Sequence, residues 1–238
     1  MIIQRLKNEL LCIAQIDHAA LAAEIMSDWR LGGLPEHPRR DAILEATRLH
    51  DDGWREEDSE MHVSDAGEPL DFVGVPPTVK HRIWPRAAGR LAESRSPYIA
   101  ALIAQHALTV HAPLRQDPAW RLFFTTMERT RDTLLSRATA QEAAGALDDY
   151  PFVRIGDQLS LIFCNGWTTP MAGLGYRAIL KGITLEITPD PFEGRRVPLR
   201  IDARRVPART YNSAADLREA HASAPRVALE GEAVGVQP

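Results

Sequence analysis

The sequence predicts a mainly α protein, with a helical body over residues 1–166 and a small α+β extension over residues 167–238 packed on the same domain. Three observations lead there. Apolar residues recur at steps of three and four through most of the first 166 positions. Alternation with period two is confined to short stretches after Gly166. The chain has 238 residues, 45% of them apolar and 25% charged, a composition and length that suit a globular fold with a substantial buried core.

The elements follow in order. Residues 10–30 read as a helix, with Leu11, Ala14, His18, Leu21, Ile25 and Trp29 on one face. Gly32, Gly33, Leu34 and Pro35 break it. Pro38 opens a second helix over 38–52, where Ile43, Ala46 and His50 share a face and Asp41 adds negative charge to the first turn. Gly53 ends it and lets the chain turn sharply. Residues 55–80, rich in acids and prolines, read as a long functional or mobile loop that can close over a site. A third helix covers roughly 81–94. Ser96 and Pro97 start a fourth, with Ile99, Leu102, Ile103, His106 and Val110 on its apolar face, and Pro113 stops it. Residues 117–145 are helical. A last body helix covers 148–165, with Val153, Asp157, Leu161 and Cys164 on one face. In the extension, 183–187 and 197–202 alternate and read as a β-hairpin. Ser213 caps a helix over 214–222 with Asp216 in the capping-box position, and 226–232 adds a further strand.

Bulk properties exclude several roles. Net charge is −4 and the pI is near 6.1, so the basic excess of a nucleic-acid-binding surface is missing. No run is apolar over the roughly 18 residues a membrane span needs, and the N-terminus lacks the long apolar core of a signal peptide. The expectation is a cytoplasmic protein with a small-molecule partner and no membrane or nucleic-acid partner, with a homo-oligomer open. Cys12 and Cys164 read as reduced, buried thiols without CxxC spacing.

Four ionisable residues stand where the helical pattern demands an apolar one: His18, His50, His106 and Asp157. An unpaired buried carboxylate is costly. A carboxylate buried beside several imidazoles is what a metal site needs, because the cation offsets the desolvation. Asp51 points about 100° from His50 on an ideal helix, yet both can reach one ion at the helix end.

At these residues the chain resembles the HD-domain superfamily of metal-dependent phosphohydrolases, whose pattern is a His on the first helix, a His-Asp doublet on the second and a distant Asp on a late helix. More narrowly it is similar to an uncharacterised bacterial family of unknown function related to that superfamily. The matching pieces are Gln15 to His18, His50 to Trp54, Gly67 to Pro69, Ser96 to Tyr98 with His106, and Gly156 to Leu161. The resemblance implies an HD-type helical bundle in which His18, His50, Asp51 and Asp157 ligate one divalent transition metal (Mn, Fe, Zn or Ni). Two-metal members add histidines, for which His81, His106 and His111 are the candidates, His106 first.

The implied activity is hydrolysis of a small phosphoester or nucleotide-like substrate. A metal there would acidify a water and polarise a phosphoryl oxygen. Asp52 or Asp17 would be the general base. Lys80 and Arg82 are candidates for a phosphate clamp, and Trp54 for a wall of the substrate pocket. Two alternatives stand beside this reading: a di-iron oxygenase on the same scaffold, with a ligand set widened by His81 and His106, and a non-catalytic binding module.

Overall fold

Residues 2–13 form a β-hairpin where the sequence predicts the start of a helix. The computed structural model of the chain describes residues 1–237. It places β1 at Ile2–Arg5, β2 at Glu9–Ile13 and α1 at Gln15–Ser27. Leu10, Leu11, Cys12 and Ile13 are all buried. A strand covered on both faces carries no alternation, so its apolar run reads equally well as helix.

Helix α2 spans Arg40–Leu49 and leads through a 3-10 turn at Asp52–Trp54 to the short helix α3, Glu57–Glu60. Strands β3 (His62–Val63) and β4 (Pro69–Leu70) pair with each other, so the segment expected as a loop is built of short elements. Three longer helices follow: α4 at Pro77–Ser94, α5 at Pro97–Val110 and α6 at Arg121–Leu135. Helix α7 then runs unbroken over Ala140–Asn165. The break expected near residue 146 lies earlier, at Ser136–Thr139, where Thr139 and Glu142 form a capping box. Pro151 sits inside α7 and costs it a backbone hydrogen bond. Burial of Phe152, Val153, Ile155, Leu159 and Ile162 on the same helix outweighs that loss.

The remaining elements are β5 (Met171–Gly173), β6 (Tyr176–Lys181), β7 (Thr184–Thr188), β8 (Arg196–Pro207), α8 (Ala214–Ser223) and β9 (Arg226–Gly235). They join the N-terminal hairpin in one seven-stranded sheet of order β1-β2-β8-β9-β7-β6-β5. Every pairing is antiparallel except β7 with β9. The fold is therefore α/β, built on a curled mixed sheet, and the expectation of a mainly α, all-α-bodied bundle with a small β extension is corrected. The expected hairpin of β7 with β8 is corrected too. Strand β9 lies between them, with Glu186 paired to Val234 and Val234 in turn to Arg196. Period-two alternation identifies a half-buried strand but not its neighbour, because any strand with a matching face can supply the ladder.

Helices α1 and α7 pack on the sheet, and α4, α5 and α6 form a second core on the far side of α7. Helix α7 serves both: Ile155, Leu159 and Ile162 face the sheet-side core, and Tyr150 and Val153 face the helical one. It approaches α1 and α2 closely at Gly156. A Cβ there would lie 2.8 Å from Thr47 Cγ2, 2.9 Å from Met26 Cγ and 3.2 Å from the Ala22 carbonyl oxygen. Among the described residues no helix is long and apolar enough to cross a membrane.

Gly156→Ala should lower stability by about 1–3 kcal/mol through overpacking. Gly89→Ala, on the exposed side of α4 with nothing near its Cβ, should raise it by about 0.5–1 kcal/mol. Denaturant unfolding of both variants checks the pair, and equal effects would show that Gly156 has no packing role.

Candidate metal centre

Four elements deliver the ionisable residues to one buried point. His18 lies in the first turn of α1, His50 and Asp51 follow the end of α2, His106 lies on α5 and Asp157 on α7. All five side chains are buried. His18 Nε2 is 2.8 Å from Asp51 Oδ2. His50 Nε2 is 3.3 Å from His18 Nε2, 3.3 Å from Asp157 Oδ1 and 3.8 Å from Asp51 Oδ2. His106 Nε2 stands 4.0 Å from Asp157 Oδ2. Two metal-competent groups result, His18 with His50 and Asp157, and His50 with Asp51 and His106.

The neighbours of these rings bear on where the protons sit. Thr47 lies one turn before His50, and its carbonyl accepts from His50 Nδ1 at 2.7 Å. Ser160 lies one turn after Asp157 and donates its hydroxyl hydrogen to the Asp157 carbonyl. In that orientation its oxygen accepts from His18 Nδ1 at 2.9 Å. In their neutral forms both histidines then turn a bare Nε2 toward two carboxylates. Two lone-pair nitrogens and two carboxylate oxygens meet with no hydrogen between them, an arrangement that only a proton or a cation can stabilise.

Protons supply one solution. Burial disfavours the His50 imidazolium, but the Asp51 charge and the Asp157 hydrogen bond outweigh it and raise its pKa to about 9. Burial pushes the Asp51 and Asp157 carboxyls up, yet the adjoining histidines win and hold both below the usual carboxylate range. Burial pushes His106 down to about 3, so it is neutral.

A divalent cation is the other solution, and the residues fit it. Its charge matches Asp51 and Asp157 together. Nitrogen and carboxylate donors suit Zn, Mn, Fe or Ni. Bonds of about 2.0–2.2 Å place neighbouring donors about 3.0–3.5 Å apart, close to the separations around His50. Anchored Nδ1 hydrogens are also the usual companion of metal-ligating imidazoles. The two metal-competent groups share His50, which has only Nε2 to offer, so they overlap in one centre.

A cavity of about 370 Å³ opens beside the cluster. Asp51, Asp157 and His106 reach it, and Trp54, Trp84 and Lys80 line its walls. Arg154, one turn before Asp157, pairs with that carboxylate and also lines the cavity. Other expected residues lie elsewhere. His81 packs against Trp120 and Phe123 at ring distances of 4.6 and 5.4 Å and belongs to no metal-competent group. Arg82 pairs with Glu57. Asp52 is held by Arg55 and by Arg90, whose Nε lies 3.1 Å from Oδ2, and it does not line the cavity. Asp17 borders a separate cleft beside Asp58 and Asp202. Gly53 serves close packing, not a left-handed turn: its Cβ position lies 3.1 Å from the Ile83 carbonyl oxygen of α4.

Thr47, Ser160, Arg154 and Tyr150 were not singled out from the sequence. The first three stand three residues from a ligand candidate on the same helix or its end, a spacing that places side chains side by side. Tyr150 OH lies 3.2 Å from His106 Nδ1, across two helices, and no sequence spacing points to it. His111, at the end of α5, donates from Nδ1 to the Ala107 carbonyl and also lines the cavity.

Comparison with known proteins places this architecture in a family. Residues 1–208 match the family described as protein of unknown function (DUF3891), and the chain belongs to it. No curated protein and no solved structure matches the chain.

Because His50 holds a proton below about pH 9 in metal-free protein, a cation has to displace it. Apparent affinity for zinc should therefore climb about tenfold per pH unit above pH 7 and level off near 9. Competition against a chromophoric chelator across that range checks this, and a flat profile would show that no proton leaves the cluster.

Proposed function

We propose that this protein is a metal-dependent phosphohydrolase of the HD type, acting on a small phosphoester through a divalent transition metal held by His18, His50, Asp51 and Asp157. One observation carries the reading: α1, the end of α2 and α7 bring His18 Nε2, Asp157 Oδ1 and Asp51 Oδ2, all buried, within 3.8 Å of His50 Nε2. The order of the ligand set along the chain supports it, with a His on α1, a His-Asp doublet closing α2 and an Asp on α7.

A cation bound there supplies a Lewis acid that polarises a phosphoryl oxygen and acidifies water. The chain's own residues do the rest. Ser160 and Thr47 hold His18 and His50 in the tautomers that present Nε2. Lys80 and Arg154 bring positive charge to the cavity wall, where it opposes the charge of a phosphoryl group. Trp54 and Trp84 cover the centre and keep bulk water from its carboxylates. Asp52 is spoken for by two arginines and Asp17 opens on another cleft, so neither is assigned as general base.

Elemental analysis of protein purified without chelator tests the proposal. About one ion per chain is expected in the wild type, with most of it lost in His50→Ala and Asp157→Asn. Hydrolysis of a phosphoester panel should fall at least about 100-fold in both variants. Wild-type protein that takes up none of Mn, Fe, Zn or Ni, or a loaded protein inert on every phosphoester, refutes it.

A further inference from the structure

The cavity beside the cluster has an uneven chemistry. Its rim carries three exposed apolar side chains, Val73, Leu114 and Trp167, which are 64%, 37% and 40% exposed. Scattered apolar residues on a surface are ordinary, but three gathered at one cavity mouth mark a contact for an apolar partner. Trp54, Trp84 and Phe72 continue that surface inward. The polar groups gather on the inner side, with Asp51, Asp157, His106, Lys80 and Arg154. Trp84 Nε1 is a buried donor without an acceptor, and Gln15 Oε1 a buried acceptor without a donor. Both residues line this cavity and both are almost completely buried.

Charge narrows the choice. Two carboxylates, Asp51 and Asp157, face the cavity, and a divalent cation balances them. Lys80 and Arg154 then remain as two positive charges. Lys80 donates to the Val73 carbonyl oxygen at 2.8 Å and, among the described residues, forms no ion pair, with Asp71 acting on it only through longer-range charge. A phosphomonoester carries about −1.5 to −2 at pH 7, which matches that surplus. A phosphodiester or a sulfonate carries a single negative charge and leaves one cation unmatched.

We propose that the cavity takes a phosphomonoester dianion on an apolar body, with the phosphoryl group between the metal centre, Lys80 and Arg154 and the body against Trp54, Trp84 and the Val73, Leu114 and Trp167 rim. The inference rests on the metal-dependent reading and names its substrate class. Lys80 and Arg154 hold the phosphoryl oxygens while a water attacks phosphorus. The water oxygen bonds to phosphorus, the bond from phosphorus to the alcohol oxygen breaks, and one water proton ends on that oxygen. Inorganic phosphate and an apolar alcohol leave. A sugar-like body is disfavoured because its hydroxyls would lie against the apolar rim of Val73, Leu114 and Trp167.

Calorimetric titration of metal-loaded protein tests this with four non-hydrolysable probes: phenylphosphonate, octylphosphonate, octylsulfonate and a hydroxyl-rich phosphonate of similar length. Octylphosphonate or phenylphosphonate should bind at least about tenfold more tightly than the other two. A stronger phenyl arm marks a ring-shaped body and a stronger octyl arm a chain, and either supports the class. Lys80→Gln should lose the advantage over octylsulfonate but keep that over the hydroxyl-rich phosphonate, with its metal content unchanged, and Lys80→Arg should restore the first. A metal-loaded protein that binds the sulfonate or the hydroxyl-rich probe as tightly overturns the substrate class alone. A preparation that takes up no metal removes the hydrolase reading and this one with it.

Discussion

Everything in this fold depends on how closely α7 can approach α1 and α2. Gly156 lets it come within contact of Met26 and Thr47, and the next residue, Asp157, is thereby delivered to His18 and His50. With a bulkier residue the helix would stand off, and the carboxylate would leave its partners. The same helix separates the sheet-side core from the helical core and contributes to both. Packing on its two faces fixes its position along and across the sheet, which is what a cluster with donor spacings near 3 Å needs.

A second buried charge secures the other end of that helix. Asp149 accepts from Arg39 Nε at 2.5 Å, lies 3.1 Å from His37 Nε2 and takes the Tyr98 hydroxyl hydrogen. The entry to α2, the first turn of α5 and α7 are thus tied at one point, more than two turns from Asp157. Burying this carboxylate is costly alone, and its three partners meet that cost while specifying one arrangement of the helices. Asp149 has its donors within the protein. Asp157 meets Arg154 and His50, and what sets its cluster apart is the second carboxylate, Asp51, and the three imidazoles gathered with it.

The segment between α2 and α4 is support as much as covering. Asp58 accepts from the Gln15 backbone N–H at 2.6 Å and so caps α1, whose own N-cap residue, Ala14, has no side chain able to do so. Asp52, clamped by Arg55 and Arg90, fastens the turn after the His50-Asp51 doublet to α4. Phe72 and Val73 reach the cavity wall. Asp52, Glu56, Glu57 and Asp58, which read in sequence as a catalytic base and as parts of a mobile lid, are committed to helix capping and ion pairs.

The sequence by itself picked out the ionisable residues that the fold buries together. His18, His50, His106 and Asp157 break an apolar helical pattern, and burying such groups without partners is too costly to be accidental. It also determined most helices and the caps at Ser96 and Ser213, because the 3.6-residue period and capping residues act over a few positions. Only the tertiary structure decided the sheet. The apolar run at 10–13 is a strand because β8 offers it a ladder, and β9 enters between β7 and β8 because α8 returns the chain there. It alone also excluded His81, Asp52 and Asp17 from the centre and admitted Tyr150 and Ser160. Strand partners, ring orientations and proton positions depend on residues far apart in the chain, and no local period records them.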